Sequence, residues 1–218
     1  MTDLDFSVIG ANADLLWDGM QMTLLLTVLG IVGGILLGTV LAMLRIARVP
    51  VLAQVAALYV NFFRSLPLIL VIFWLFFLVP LILGRPVGAF SSVLVAFVMF
   101  EAAYYSEIIR AGINSVRPGQ MAAARAIGMS YGQSMREVVL PQAFRAMTPI
   151  LLTQAIVLFQ DTALVYVVGL RDFLVSAEIV ANRDQRLVEM FLFVALVYFV
   201  MSFAASCGVR ILQRRLAT

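Results

Sequence analysis

The sequence predicts an all-α integral membrane protein, and three observations carry that prediction. First, the chain is 63% hydrophobic and only 12% charged, with a mean hydropathy of +1.05. Soluble domains are much less apolar and far more charged, so this much apolar surface calls for lipid. Second, five apolar stretches reach the ~20 residues that a helix rising ~1.5 Å per residue needs to cross a ~30 Å hydrocarbon core. They are residues 20–44, 62–83, 91–112, 147–170 and 188–211. Third, Arg is distributed unevenly between the two sides. With the N-terminus outside, Arg45, Arg48, Arg110, Arg117, Arg125, Arg136, Arg145, Arg210, Arg214 and Arg215 fall inside, against Arg85, Arg171, Arg183 and Arg186 outside. An inner excess of basic residues is the signature of orientation.

The N-terminal stretch has Asp3, Asp5, Asp14 and Asp18 and no Arg, so it does not read as a secretory signal, which begins with a basic patch. The first span carries Gly30, Gly33, Gly34 and Gly38, a small-residue face against which another helix can pack closely. Packing inside this chain is the plain expectation for that face, and a subunit contact is the sharper one. Residues 51–63 are apolar but short, and they read as an inner-surface lead-in to the second span. The aromatic run Phe73-Trp74-Leu75-Phe76-Phe77 suits lipid contact or an interface anchor. The outer segment 171–189 mixes Arg171, Asp172, Glu178, Arg183, Asp184, Arg186 and Glu189, which suits either charge-complementary docking of a soluble partner or simple solvation.

Absences exclude whole classes of function. All 15 basic residues are Arg, and there is no His. Without Lys there is no phosphate-binding Gly-x4-Gly-Lys loop, so no ATP site of that kind. Without His there is no Ser-His-Asp site and no ordinary zinc or haem site; neither a metal nor another cofactor is expected. Cys207 is the single cysteine and has no partner within the chain for a disulfide. A dispersed net charge of +3 leaves no nucleic-acid footprint.

The inner segment 113–146 is long for a turn and short for a domain. Pro118 suits a first helical turn, and Gln120 to Ile127 are good helix formers around three consecutive alanines. Gly128 reads as a C-cap, Ser130 with Gln133 as a capping box, and Pro141 as the close of the segment. Two short helices joined at a Gly turn are expected there.

This segment resembles the loop that marks permeases of ATP-binding-cassette (ABC) importers, Glu-Ala-Ala-x3-Gly-x9-Ile-x-Leu-Pro. Here it falls on Ala122-Ala123-Ala124, Gly128, Val138 and Leu140-Pro141 with every spacing kept. Ala122 stands where Glu is usual, which removes one charged contact, and Val138 stands where Ile is usual. Glu101-Ala102-Ala103 spells the same triplet but lies within the third span and lacks the downstream Gly. The runs FRSLPL from Phe63, MFEAAYYSEIIRAGI from Met99, LPQAFRAM from Leu140 and LFQDTALVYV from Leu158 are similar to polar amino-acid permeases, in wording nearest to those of glutamate/aspartate importers.

The resemblance implies a single transmembrane permease domain over 1–218 of the MetI-like type, with a cytoplasmic coupling loop at 113–146. It implies a bacterial cytoplasmic (inner) membrane location, two ATP-binding subunits, a second permease that is a related chain or a copy, and a periplasmic amino-acid-binding protein. It also implies that ATP hydrolysis is done by the partner. Ala122, Ala123, Ala124, Arg125, Gly128, Leu140 and Pro141 are the expected coupling residues.

Charges within spans are costly and usually face a polar interior. Arg64, Glu101, Asp161 and Thr162 are therefore the candidate lining of the substrate path, with a carboxylate meeting an ammonium group and Arg64 meeting a carboxylate. Internal pairing is the alternative, and for Glu107 with Arg110, three apart on one helix face, it is the preferred reading. Two acids against one Arg do not by themselves make a site for an anionic solute, so the glutamate/aspartate expectation rests on the resemblance. Permeases for glutamine, histidine or basic amino acids share the motifs. An ion-coupled secondary carrier is the rival from another class, but such carriers usually show internal repeats and more spans, and neither is found.

Overall fold

The computed structural model describes residues 4–47 and 49–216. Asp3 and Arg48 lie outside the described residues. Every regular element among the described residues is helical: α1 (Ser7–Ala11), α2 (Ala13–Ile46), α3 (Pro50–Arg64), α4 (Leu68–Phe73), α5 (Val79–Leu83), α6 (Ala89–Asn114), α7 (Pro118–Ala126), α8 (Tyr131–Ser134), α9 (Leu140–Asp161), α10 (Phe173–Arg183) and α11 (Leu187–Leu216). Four helical runs are long and apolar enough to cross a membrane: Ala13–Ile46, Ala89–Asn114, Tyr131–Val168 and Leu187–Leu216. The pair Pro50–Arg64 and Leu68–Leu83 makes a fifth only when taken as one broken span, and it bends through 105°. Pro67, extended at φ −65° and ψ 136°, stands at that bend; its ring disfavours the helical basin for the residue before it, Leu66, so α3 ends ahead of it. The lead-in at 51–63 is thus a helix in its own right, and it takes Phe62 to Arg64 from the predicted start of the second span.

Two prolines lie within helical runs without breaking them, and one of them, Pro141, was expected to close the loop. Pro80 and Pro141 each sit two residues after the end of a wide π turn, Trp74–Leu78 and Met135–Val139. In each case the next residue's N–H bonds five residues back, Val79 to Trp74 and Leu140 to Met135. A proline ring clashes with the carbonyl four residues earlier, here Phe76 or Glu137, and widening the turn at that carbonyl relieves the clash. Pro141 therefore lies in the first turn of α9 rather than closing the loop.

The chain divides into two compact units. One comprises Met1–Val32, Leu66–Val98 and Ala155–Ser206; the other comprises Gly33–Ser65, Met99–Gln154 and Cys207–Thr218. The first unit buries Val8, Leu16, Met20, Phe159, Phe173, Val180, Met190 and Val194 around the short helix α10. Gly19 lets α2 approach α10 there: a Cβ at Gly19 would lie 2.6 Å from the Asp172 carbonyl oxygen. The second unit packs Ala42, Ile109 and Met147. Its backbones approach closely because Gly34 and Gly38 face α6; a Cβ at Gly38 would meet the Ala102 carbonyl oxygen at 2.9 Å and the Ser106 nitrogen at 3.0 Å. Gly30, Gly34 and Gly38 of the first span's glycine face are taken up by contacts within the chain.

Candidate substrate path and coupling loop

The loop at 113–146 folds as its residues dictate. Pro118 opens α7, its lost N–H costing nothing in a first turn. At the other end, Gly128 at φ +91° supplies the left-handed residue of a complete Schellman close: its N–H bonds the Arg125 carbonyl at 3.1 Å, and the Met129 N–H bonds the Ala124 carbonyl at 3.2 Å. Ser130 and Gln133 then form the reciprocal capping box. The Ser130 N–H donates to Gln133 Oε1 at 2.8 Å, and the Gln133 N–H donates to Ser130 Oγ at 3.3 Å. Ala124 is buried while Ala122, Ala123 and Arg125 are exposed, so α7 offers a small-residue surface on a helix fixed at both ends. Arg125 Nη1 reaches the Met129 carbonyl at 3.2 Å, tying side chain to turn. Ile127 is 80% exposed at the tip, an apolar residue that the motif does not mark.

The ionisable candidates fall in different units. Glu101 and Arg64 belong to the second; Asp161 and Thr162 belong to the first. Glu101 is completely buried. Its Cβ occupies the space left by Gly34, and the Gln154 amide spans both carboxylate oxygens at 3.1 and 3.2 Å. Gln154 was not among the residues singled out from the sequence; its signal is an amide in the middle of the apolar run of α9. In this conformation Glu101 is sealed from solute, so reaching it requires helices to separate. Asp161 is half-buried and has no hydrogen-bond or ion-pair partner among the described residues. It ends α9, and the chain then tightens into a 3-10 stretch, Thr162–Val168, that closes at Gly169 with φ +67°. A 3-10 stretch of this kind is a common way for an α-helix to tighten at its C-terminal end. Thr162 is buried, and its hydroxyl donates to the Phe159 carbonyl at 2.7 Å. Arg64 ends α3, and its guanidinium carbon lies 5.6 Å from the centroid of the Tyr104 ring.

Glu107 does pair with Arg110, as the helix spacing predicts, and Arg45 joins it at 2.6 Å. In the segment 171–189 the charges pair locally. Arg183 binds Asp184 and Asn12, and Arg186 binds Glu189. Asp172 caps α10, accepting from the Val175 N–H at 2.9 Å, and is buried. It lies between the spans Tyr131–Val168 and Leu187–Leu216, and burial pushes its carboxyl up from 3.8 to about 6. A folded-state pKa above the unfolded one favours the protonated form, so this stabilisation is complete below 3.8 and is lost as pH rises through about 6. At ~1.4 kcal/mol per unit the swing is about 3 kcal/mol. The thermal midpoint in detergent is expected to fall between pH 4 and pH 7, and Asp172→Asn to flatten that fall; an unchanged slope in the variant would refute the assignment.

Known proteins with this pattern share the whole chain. A family described as "Binding-protein-dependent transport system inner membrane component" matches residues 20–218. The chain is 50% identical to the glutamate/aspartate import permease protein GltK of Escherichia coli O157:H7, over all of both chains. It is 38% identical to the probable glutamine ABC transporter permease protein GlnP of Bacillus subtilis (strain 168), over 92% of this chain and 93% of that one. Among solved structures, an amino acid ABC transporter crystallised with histidines superposes with a TM-score of 0.92 at 33% identity, over 99% of this chain and 100% of that one. The MetNI methionine ABC transporter shares the fold, with a TM-score of 0.67 at 22% identity. A short helix opened by Pro118 and closed at Gly128, spans with no ATP-binding loop, and likeness along the entire length lead to one conclusion: the chain belongs to the binding-protein-dependent transport system inner membrane components, the multi-pass permease subunits of ABC importers, which leave ATP hydrolysis to a partner.

Proposed function

We propose that this chain is a permease subunit through which glutamate and aspartate cross the bacterial cytoplasmic membrane. The observation that carries the reading is identity of 50% along the whole chain with a glutamate/aspartate import permease. The chain stands with its N-terminus outside and its C-terminus inside, the orientation that places most Arg residues within. It pairs with a second permease, related or identical, and with two ATP-binding subunits that grip α7. A periplasmic binding protein delivers the solute. When the ATP-binding subunits close, α7 is displaced as a rigid piece, and the spans behind it alternate between outward and inward access.

Arg64, Glu101, Asp161 and Thr162 line the path. Asp161, with no hydrogen-bond or ion-pair partner among the described residues, is suited to an ammonium group. Glu101, held by Gln154, joins the path only when the helices part. Uptake of radiolabelled glutamate by the reconstituted complex tests this. Glu101→Gln and Asp161→Asn are each expected to cut the rate about tenfold or more, the loss of one charge-assisted contact. Unchanged rate and selectivity in both would remove the two carboxylates from the path. A second reading, a permease for glutamine or a basic amino acid, is favoured by the acids themselves, which suit a cationic solute. Preferential uptake of glutamine or arginine over glutamate would establish it.

A further inference from the structure

Glu107 is outnumbered. Its Oε1 accepts from Arg110, its Oε2 accepts from Arg45 Nη1 at 2.6 Å, and Arg64 Nη1 stops 3.9 Å short of the same oxygen. Three guanidiniums and one carboxylate leave a net charge of 3 − 1 = +2. Guanidiniums bring far more N–H donors than one carboxylate can accept from, and the surplus is visible. Arg110 Nε is buried with no acceptor. Arg64 makes no hydrogen bond among the described residues, since 3.9 Å is beyond bonding distance.

Arg64 is also the open side of this cluster: its side chain is 41% exposed, against 13% for Arg45. Its position is nevertheless fixed. Tyr59 Oη donates to the Met99 carbonyl at 2.8 Å, pinning α3 to α6, and the Tyr59 ring packs on Phe63 at 4.6 Å. The Tyr104 ring holds the Arg64 cation at 5.6 Å, an attraction that leaves the N–H fork unspent. A positioned, half-exposed guanidinium with free donors, backed by two more positive charges, is complementary to a planar anion.

We propose that Arg64, backed by Arg45 and Arg110, is a binding site for the side-chain carboxylate of the transported solute, with Glu107 as the resident counter-ion and Tyr104 as the platform that presents Arg64. The inference rests on the reading that the solute is an acidic amino acid, and it supplies the positive charge that Glu101 and Asp161 cannot. Residues that sequence spacing marks as a structural ion pair thereby become part of the solute's route.

The test is equilibrium binding to the complete transporter, purified through this chain and placed in phosphatidylcholine or phosphatidylglycerol nanodiscs. L-glutamate is the probe, and L-glutamine is its neutral isostere. Arg64→Gln is expected to weaken glutamate about tenfold while leaving glutamine within about twofold, and Arg64→Lys, which keeps the charge but not the fork, to fall between. Glu107→Gln should tighten glutamate by removing the competing carboxylate. Should that variant fail to assemble, Tyr104→Leu serves instead and should weaken glutamate severalfold with glutamine unaffected. Equal losses for both solutes, or no loss for either, would overturn the proposal. So would glutamate binding that exists in phosphatidylcholine and vanishes in phosphatidylglycerol, since Arg64 would then belong to a lipid headgroup. If Asp161→Asn impairs uptake while Arg64→Gln binds glutamate normally, the path reading survives and this inference fails. If the unaltered transporter does not take glutamate, the acidic-solute reading fails and takes the inference with it.

Discussion

Replacing Ala124 with Pro is expected to abolish solute-coupled ATPase activity and uptake while leaving the protein inserted. Ala124 is buried in the last turns of α7, a helix of 9 residues. Proline there removes an internal hydrogen bond and drives its ring into the preceding turn, at a cost of about 3 kcal/mol. A helix this short is marginal alone and survives through its caps and packing, so that cost is enough to melt it. Its Schellman close also depends on position 124, whose carbonyl receives the Met129 N–H. The spans carry no part of this penalty, and membrane yield and elution as a single species should be those of the parent. Gly128→Val should reach the same end by another route. No neighbour obstructs a side chain at Gly128, but its φ of +91° is one that a β-branched residue rarely adopts. Full solute-stimulated ATPase activity in either variant would remove α7 from the coupling step.

Gly38→Leu should act earlier, on folding itself. A Cβ at this position would press on the Ala102 carbonyl and the Ser106 nitrogen, both backbone atoms of α6 that no rotamer change can move. The two helices would have to part, and with them the layer that buries Tyr105 and Ser106. Overpacking of this kind costs typically about 1–3 kcal/mol, and membrane helices that meet through glycine depend on the close contact for their attraction. The expected result is loss of monodisperse protein after solubilisation, with Gly38→Ala showing a lowered thermal midpoint. Gly208→Ala is the matched control: it sits in α11 with nothing near its Cβ, so helix propensity alone should leave it neutral or slightly stabilised. Equal behaviour of the two alanine variants would show that the α2–α6 contact is not what holds this unit together.

The sequence by itself determined everything governed by local chemistry and by lipid. Hydropathy marked the long apolar runs because the bilayer is a uniform solvent, but it drew the start of the second run into α3. The caps of α7 and α8 were legible because Pro118, Gly128, Ser130 and Gln133 act on backbone groups a few residues away. The pairing of Glu107 with Arg110 followed from helix geometry alone. What only the tertiary structure decided lies between segments distant in the chain. That Gly34 and Gly38 are spent on α6, that Gln154 holds Glu101, and that Arg45 and Arg64 both converge on Glu107 depend on which helix faces which. The π turns before Pro80 and Pro141 belong to the same group: a proline announces a clash, but whether the chain breaks or widens around it is settled by the packing on either side.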